Sequence, residues 1–141
     1  LPWCSFLDWQ PEPSIVAVAN VQHLGTEISG QLSEPRPSVL ELAYALSPTP
    51  ALGGAPKQDA LEQIARVEGM NRGRYGGAVG YLNKSGNGMF AVAIRCAQFN
   101  DSRTQARLFA GGGIVADSDP QEELAETQAK LQAMLTAITR P

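Results

Sequence analysis

Apolar and polar positions alternate, cluster and change period along the chain, and those changes outline its elements. SIVAVANVQHL (14–24) is rich in β-branched residues and predicts a strand. SVLELAYAL (38–46) places Val39, Leu42, Ala43 and Leu46 at helical spacing, with Ser38 and Glu41 at the two positions of a capping box. SPTPALGGAP (47–56) breaks that helix. A second helix is expected over 56–69, opening at Pro56, closing at Gly69 and burying Leu61, Ile64 and Ala65. The period then shortens. YGGAVGYLN and GMFAVAIRCAQF read as two strands joined by KSGNG (84–88), and TQARLFAG (104–111) as a third, together an antiparallel meander. A last helix is expected over about 120–138, with Asp119 as cap, Pro120 in its first position and Glu122 completing a capping box. Leu124, Leu131, Met134, Leu135 and Ile138 form its expected buried stripe. Residues 1–13 hold three prolines and two tryptophans and read as an irregular segment. Residues 14–141 then form the folded portion. The fold class is α+β, an antiparallel or mixed sheet with flanking helices.

Composition narrows the function classes. The chain has 141 residues, 43% apolar and 18% charged, which is a globular balance. Its net charge of −3, with no basic run, argues against nucleic acid or an anionic membrane as partner. No apolar stretch is long enough to span a bilayer. Cys4 and Cys96 lie far apart without metal-type spacing, and a reduced cytoplasmic setting is the default. The opening LPWCSFLDW has neither an initiator methionine nor the pattern of a signal peptide. It reads as part of something larger.

The candidate chemistry gathers late in the chain. Glu123, Glu126 and Lys130 share one face of the last helix. Two carboxylates there suit a hard cation such as Mg²⁺; an acid-rich first turn that complements the helix dipole is the plainer reading. Gly111, Gly112 and Gly113 permit positive φ and bring backbone N–H groups close to a ligand, or simply turn a corner. Arg95 sits mid-strand among apolar neighbours, on the solvent face or binding an anion in fork geometry. Tyr75 follows RGR and precedes two glycines, at a core edge or aimed at a ligand. His23, the one histidine, is more often a packed side chain than a catalyst in such company. No nucleophile–base pair is visible. A site for a small acidic molecule with a cation is what these residues offer; the reaction is not named by them.

VQHL (21–24), PTPALGGAPK (48–57), RGRYGGAVGY (72–81), AIRCA (93–97), RLFAGGGIVADSDPQEELAET (107–127) and AKL (129–131) resemble, in order and spacing, the C-terminal part of the chorismate-utilising enzymes. That family includes isochorismate, anthranilate, aminodeoxychorismate and salicylate synthases. The resemblance implies the anthranilate synthase component I-like fold. It implies that Glu126 ligates the Mg²⁺ that holds the ring carboxylate of chorismate, with Glu123 supporting the ion. Lys130 is implied near that carboxylate, and Tyr75 with Arg95 on the enolpyruvyl carboxylate. Gly111 and Gly113 are implied to line the pocket, and His23 to lie beside the reacting ring. The family usually reads GAG where Gly112 stands. Members that eliminate pyruvate or use ammonia tend to carry threonine where this chain has Ala51, so SPTPALGGAP resembles the isochorismate synthases, apart from Ser47 in place of a histidine. The implied reaction isomerises chorismate to isochorismate, for menaquinone or siderophore biosynthesis. The family's lysine base, glutamate acid and first metal-ligating glutamate lie upstream of the matched runs. The isolated chain is therefore expected to be inactive and to self-associate through a surface left uncovered. A non-catalytic anion-binding remnant is the competing class.

Overall fold

The computed structural model describes residues 3–18 and 21–139. They divide into two units, Leu1–Glu41 and Leu42–Pro141. The first unit holds two antiparallel pairs. β1 (Cys4–Trp9) runs against β4 (Ile28–Leu32), from Cys4 opposite Leu32 to Trp9 opposite Ile28, with a register shift between Cys4 and Phe6. β2 (Ser14–Val18) runs against β3 (Val21–Gly25), with Val16 opposite His23. Two expectations change here. Residues 4–9 are a strand, not an irregular segment, because Ile28–Leu32 supplies a partner that local composition does not announce. The single strand expected over 14–24 is a hairpin.

The boundary between the units falls within α1 (Val39–Leu46). Its start follows the capping-box expectation. Glu41 Oε2 accepts from the Ser38 N–H and hydroxyl, both at 2.8 Å, and the Glu41 N–H donates back to Ser38 Oγ at 3.2 Å. These bonds lower the Glu41 pKa below its ordinary value.

The second unit carries the rest. SPTPALGGAP is not only a break: Pro50–Gly53 forms a short helix, α2, with Pro at its start and Gly54 at φ +74° closing it. α3 (Lys57–Val67) follows, with Pro56 as N-cap rather than inside the helix. β5 (Ala78–Leu82) pairs with β6 (Gly88–Val92) across a turn in which Asn83 Oδ1 accepts from the N–H groups of Ser85 and Asn87. β7 (Cys96–Phe99) pairs with β8 (Ala106–Phe109). The expected three-stranded meander is thus two separate hairpins. The run GMFAVAIRCAQF breaks at Arg95, whose φ of +47° is left-handed and cannot continue a strand. α4 (Pro120–Thr139) closes the chain beside β8. Asp119 caps it, accepting from the N–H of Gln121 at 2.9 Å and of Glu122 at 3.0 Å.

The core is thin. Among the described residues Phe109 is the one buried apolar side chain, 6% exposed. The expected stripe on α4 is not buried: Leu124, Leu135 and Ile138 are exposed, and Leu131 and Met134 half-buried. Leu61 and Ile64 on α3 are likewise half-buried and Ala65 exposed. Patterning states which side chains need cover; it does not say that cover is present. Among the described residues no helix is long and apolar enough to cross a membrane. Both cysteines are free.

Candidate binding site

A cleft of about 310 Å³ opens in the second unit. Thr49, Ala51 and Leu52 of the α2 turn form one wall, and Arg72 and Tyr75, ahead of β5, another. Val92, Ile94 and Arg95 come from the end of β6 and its link to β7, Ala110–Gly113 from the turn after β8, and Lys130 from α4. Five chain segments therefore converge on one space.

Each cleft residue is placed by its local backbone. Arg95 owes its position to the left-handed break between β6 and β7, not to a strand face. Tyr75 is held by stacking on Phe109, ring centroids 5.4 Å apart and planes 16° from parallel. Phe109 ends β8 and the glycines follow after Ala110, so the same strand end supplies the back of the Tyr75 ring and the floor of the cleft. Among the glycines the expected conformational freedom is not used: positive φ occurs at Gly54, Gly69, Gly73, Gly76 and Gly86, not at 111–113. Space is what they provide. A Cβ on Gly112 would stand 2.5 Å from Glu123 Oε2, and one on Gly111 3.2 Å from the Tyr75 hydroxyl.

Behind the glycines lies a charge cluster. Lys130 Nζ donates to the Gly111 carbonyl at 3.0 Å and pairs with Glu126 Oε1 at 2.7 Å. The bond and charge of Lys130 hold the Glu126 carboxyl below its ordinary pKa, and Arg95 adds a smaller push the same way. Glu123 Oε1 accepts from Ser118 Oγ at 2.7 Å, while its Oε2 is buried and accepts no hydrogen bond among the described residues. A buried carboxylate oxygen without a donor is costly unless something positive meets it. Glu123 Oε2 and Glu126 Oε2 both face Gly112, at 2.5 and 3.7 Å from the Cβ it lacks. This donor chemistry fits a hard divalent cation, as a partial shell only. Among the described residues no three His, Cys, Asp or Glu side chains converge as a metal cluster.

The structure thus brings Ala51, Tyr75, Arg95, Gly111, Gly113 and Lys130 to one cleft, with Glu123 and Glu126 adjoining it through Gly112 and Lys130. His23 belongs to the other unit, on β3. Sequence reading missed four supporting residues: Arg72, Glu68, Phe109 and Ser118. The i,i+4 spacing of Glu68 and Arg72, three residues ahead of Tyr75, was the available signal for two of them.

The sequence of this fold matches the chorismate binding enzymes over residues 1–139. The chain belongs to the chorismate-binding enzyme family. The match includes residues 1–13, which composition alone had set apart. The chain is 47% identical over 137 residues to MenF of Mycobacterium tuberculosis (strain H37Rv), covering 97% of this chain and 37% of that one. It is 42% identical over 137 residues to the isochorismate synthase DhbC of Bacillus subtilis, covering 97% and 34%. The crystal structure of DhbC from Bacillus anthracis superposes with a TM-score of 0.87 at 43% identity, covering 97% of this chain and 36% of that one. A chorismate-binding enzyme of the isochorismate synthase kind is what the chain resembles, and it spans about a third of the length of these relatives.

Proposed function

We propose that the chain is the substrate- and metal-binding portion of a cytoplasmic, Mg²⁺-dependent isochorismate synthase. The observation that carries this reading is the convergence of Arg95, Tyr75, Gly111–Gly113 and Lys130 on one cleft, with two carboxylates adjoining it at Gly112. Chorismate is a diacid, and the cleft offers two cationic ends for it. Arg95 and the Tyr75 hydroxyl receive the enolpyruvyl carboxylate. Lys130 lies where the ring carboxylate would come. Glu123 and Glu126 would hold Mg²⁺, which would supply Lewis-acid polarisation of a carboxylate. The chain's own cleft residues orient the ring. Isomerisation adds water at C2 while the C4 hydroxyl leaves, and needs a base and an acid. Both are assigned to residues outside the runs matched here, so the 141-residue chain alone binds without turning over.

Ala51 in the cleft wall favours this reading over salicylate, anthranilate or aminodeoxychorismate synthesis, the alternatives, because the small side chain leaves no hydroxyl there. The product then serves menaquinone or siderophore assembly. Phe6, Trp9, Ile15, Leu24 and Ile28 of the first unit are more than half exposed, as are Ile114 and Val115 of the second, and we assign each group to a surface of its own unit that is covered in the working protein and available for self-association in the isolated chain. Sedimentation that stays strictly monomeric at high concentration refutes the self-association. Product analysis tests the reaction itself. A complete protein containing this chain is incubated with chorismate and Mg²⁺: isochorismate is expected, whereas salicylate or an aminated product overturns the assignment.

A further inference from the structure

We infer that Arg72 is a positioning residue that locks the Tyr75 ring to the α2 wall of the cleft. The inference rests on the diacid-binding reading of that cleft. Arg72 lines the same space as Tyr75 and Arg95, yet its charge is already committed. Its Nε donates to Glu68 Oε2 at 2.8 Å and a terminal nitrogen pairs with Glu68 Oε1, a two-pronged grip on one carboxylate. Its other terminal nitrogen donates to the Leu52 carbonyl at 2.8 Å. The guanidinium carbon lies 5.7 Å from the centroid of the Tyr75 ring, within cation–π range. Arg72 and Glu68 are both about three-quarters buried, their side chains 23% and 25% exposed. In that setting the fork is shielded from water and holds its geometry better than a surface pair.

Three parts of the cleft therefore meet on one side chain. Leu52 belongs to the α2 wall that carries Ala51. Glu68 is the cap that ends α3. Tyr75 carries the hydroxyl that stands 3.2 Å from the missing Cβ of Gly111. Arg72 commits donors of all three of its nitrogens to Glu68 and Leu52, so the free guanidinium role falls to Arg95. Arg72 sets how far the Tyr75 hydroxyl lies from the α2 wall, and with it the width available to the ring substituent of the ligand. Lysine cannot replace it: one ammonium does not grip both oxygens of Glu68 and reach Leu52 in the same plane.

The test uses the 141-residue chain with ¹³C-labelled tyrosine, the Tyr75 signal being assigned by its loss in Tyr75→Phe. Arg72→Gln, Arg72→Lys and Glu68→Gln are each expected to move the Tyr75 ring signal and leave Tyr81 in place. Chorismate, followed with Mg²⁺ by amide shifts at Gly111, is expected to bind about tenfold more weakly to Arg72→Gln. The same change made in Tyr75→Phe is expected to cost nothing further. A Tyr75 signal that stays put in Arg72→Gln and Glu68→Gln overturns the inference, and so does a loss of affinity that adds fully to that of Tyr75→Phe. Movement of all three tyrosines together in both Arg72 variants also overturns it, making Arg72 a residue of the fold. If chorismate binds none of the proteins, the diacid reading has failed, and the ring signal still decides the role of Arg72.

Discussion

Phe109 supports both the fold and the site, and its removal has a calculable cost. It is the one buried apolar side chain among the described residues and backs the Tyr75 ring at 5.4 Å. Truncating a buried phenylalanine to alanine costs about 3–5 kcal/mol in transfer and cavity terms. Of this, the aromatic pair accounts for about 0.5–1.5 kcal/mol beyond burial. A domain of this size is stable by roughly 5–15 kcal/mol. So thin a core places this chain toward the lower end, where about 4 kcal/mol is most of the total. At about 4 °C per kcal/mol, Phe109→Ala should lower Tm by about 15 °C. Phe109→Leu keeps most of the bulk but loses the ring, and about 1–2 kcal/mol predicts a drop of about 4–8 °C. Thermal melts followed by far- and near-ultraviolet circular dichroism read both values. A Phe109→Ala protein that melts within about 3 °C of the parent refutes the reasoning. So does a leucine variant as damaged as the alanine one, since filling the cavity would then be worth nothing, and a leucine variant as stable as the parent, since the stack would then add nothing to bulk.

Other perturbations address the charge cluster. Gly112→Ala places a methyl group on Glu123 Oε2 and forces the carboxylate away from Ser118. Losing that charged hydrogen bond costs about 1.5 kcal/mol, and alanine's smaller unfolded-state entropy returns about 0.4–1 kcal/mol. Tm should therefore fall by only about 2–4 °C while Mg²⁺ affinity, measured by calorimetry, changes; unchanged affinity counts against a role for Glu123. Lys130→Met removes the ammonium that occupies Glu126 Oε1 and should tighten Mg²⁺ binding by about three- to tenfold. Weaker binding would show that lysine and cation do not compete. Glu41 and Glu126 both have carboxyl groups held below the ordinary glutamate pKa, Glu41 by its bonds to Ser38 and Glu126 by Lys130. Their stabilisation is present above the unfolded value and is lost as pH falls through the folded one. The Ser38 amide, followed by nuclear magnetic resonance, should lose its capping shift only below about pH 4.5; loss near pH 6 would assign the change to another group.

Local chemistry was legible wherever a short stretch decides its own structure. Ser38 with Glu41, and Asp119 with Gln121 and Glu122, carry their cap partners within three residues, and both helix starts stand where the spacing put them. Strands were harder, because pairing is settled elsewhere in the chain. Cys4–Trp9 looked irregular until Ile28–Leu32 was set beside it. GMFAVAIRCAQF read as one strand because no β-branched or apolar pattern reports that Arg95 adopts a positive φ. The α2 turn was hidden by the prolines and glycines that bound it. The buried stripe on α4 failed for a different reason: apolar periodicity marks a face that wants a partner, and here Leu124 and Leu135 stay exposed. The site fared better. Ala51, Tyr75, Arg95, Gly111, Gly113 and Lys130 meet in one cleft although the chain separates the first from the last by most of the second unit. Arg72 and Phe109 were passed over because they act through Tyr75, and contact with a side chain far off in sequence has no local signature.

On the function proposed above, the cleft takes a diacid at Arg95 and Tyr75 and a divalent cation at Glu123 and Glu126. Chorismate is titrated into ¹⁵N-labelled chain with Mg²⁺, then with excess chelator, and the amide shifts are mapped. Shifts are expected at Tyr75, Arg95 and Gly111–Gly113, saturating with Mg²⁺, collapsing in chelator and absent from Arg95→Ala and Glu126→Gln. Shifts that fall elsewhere, or that survive both chelator and Arg95→Ala, would contradict the account.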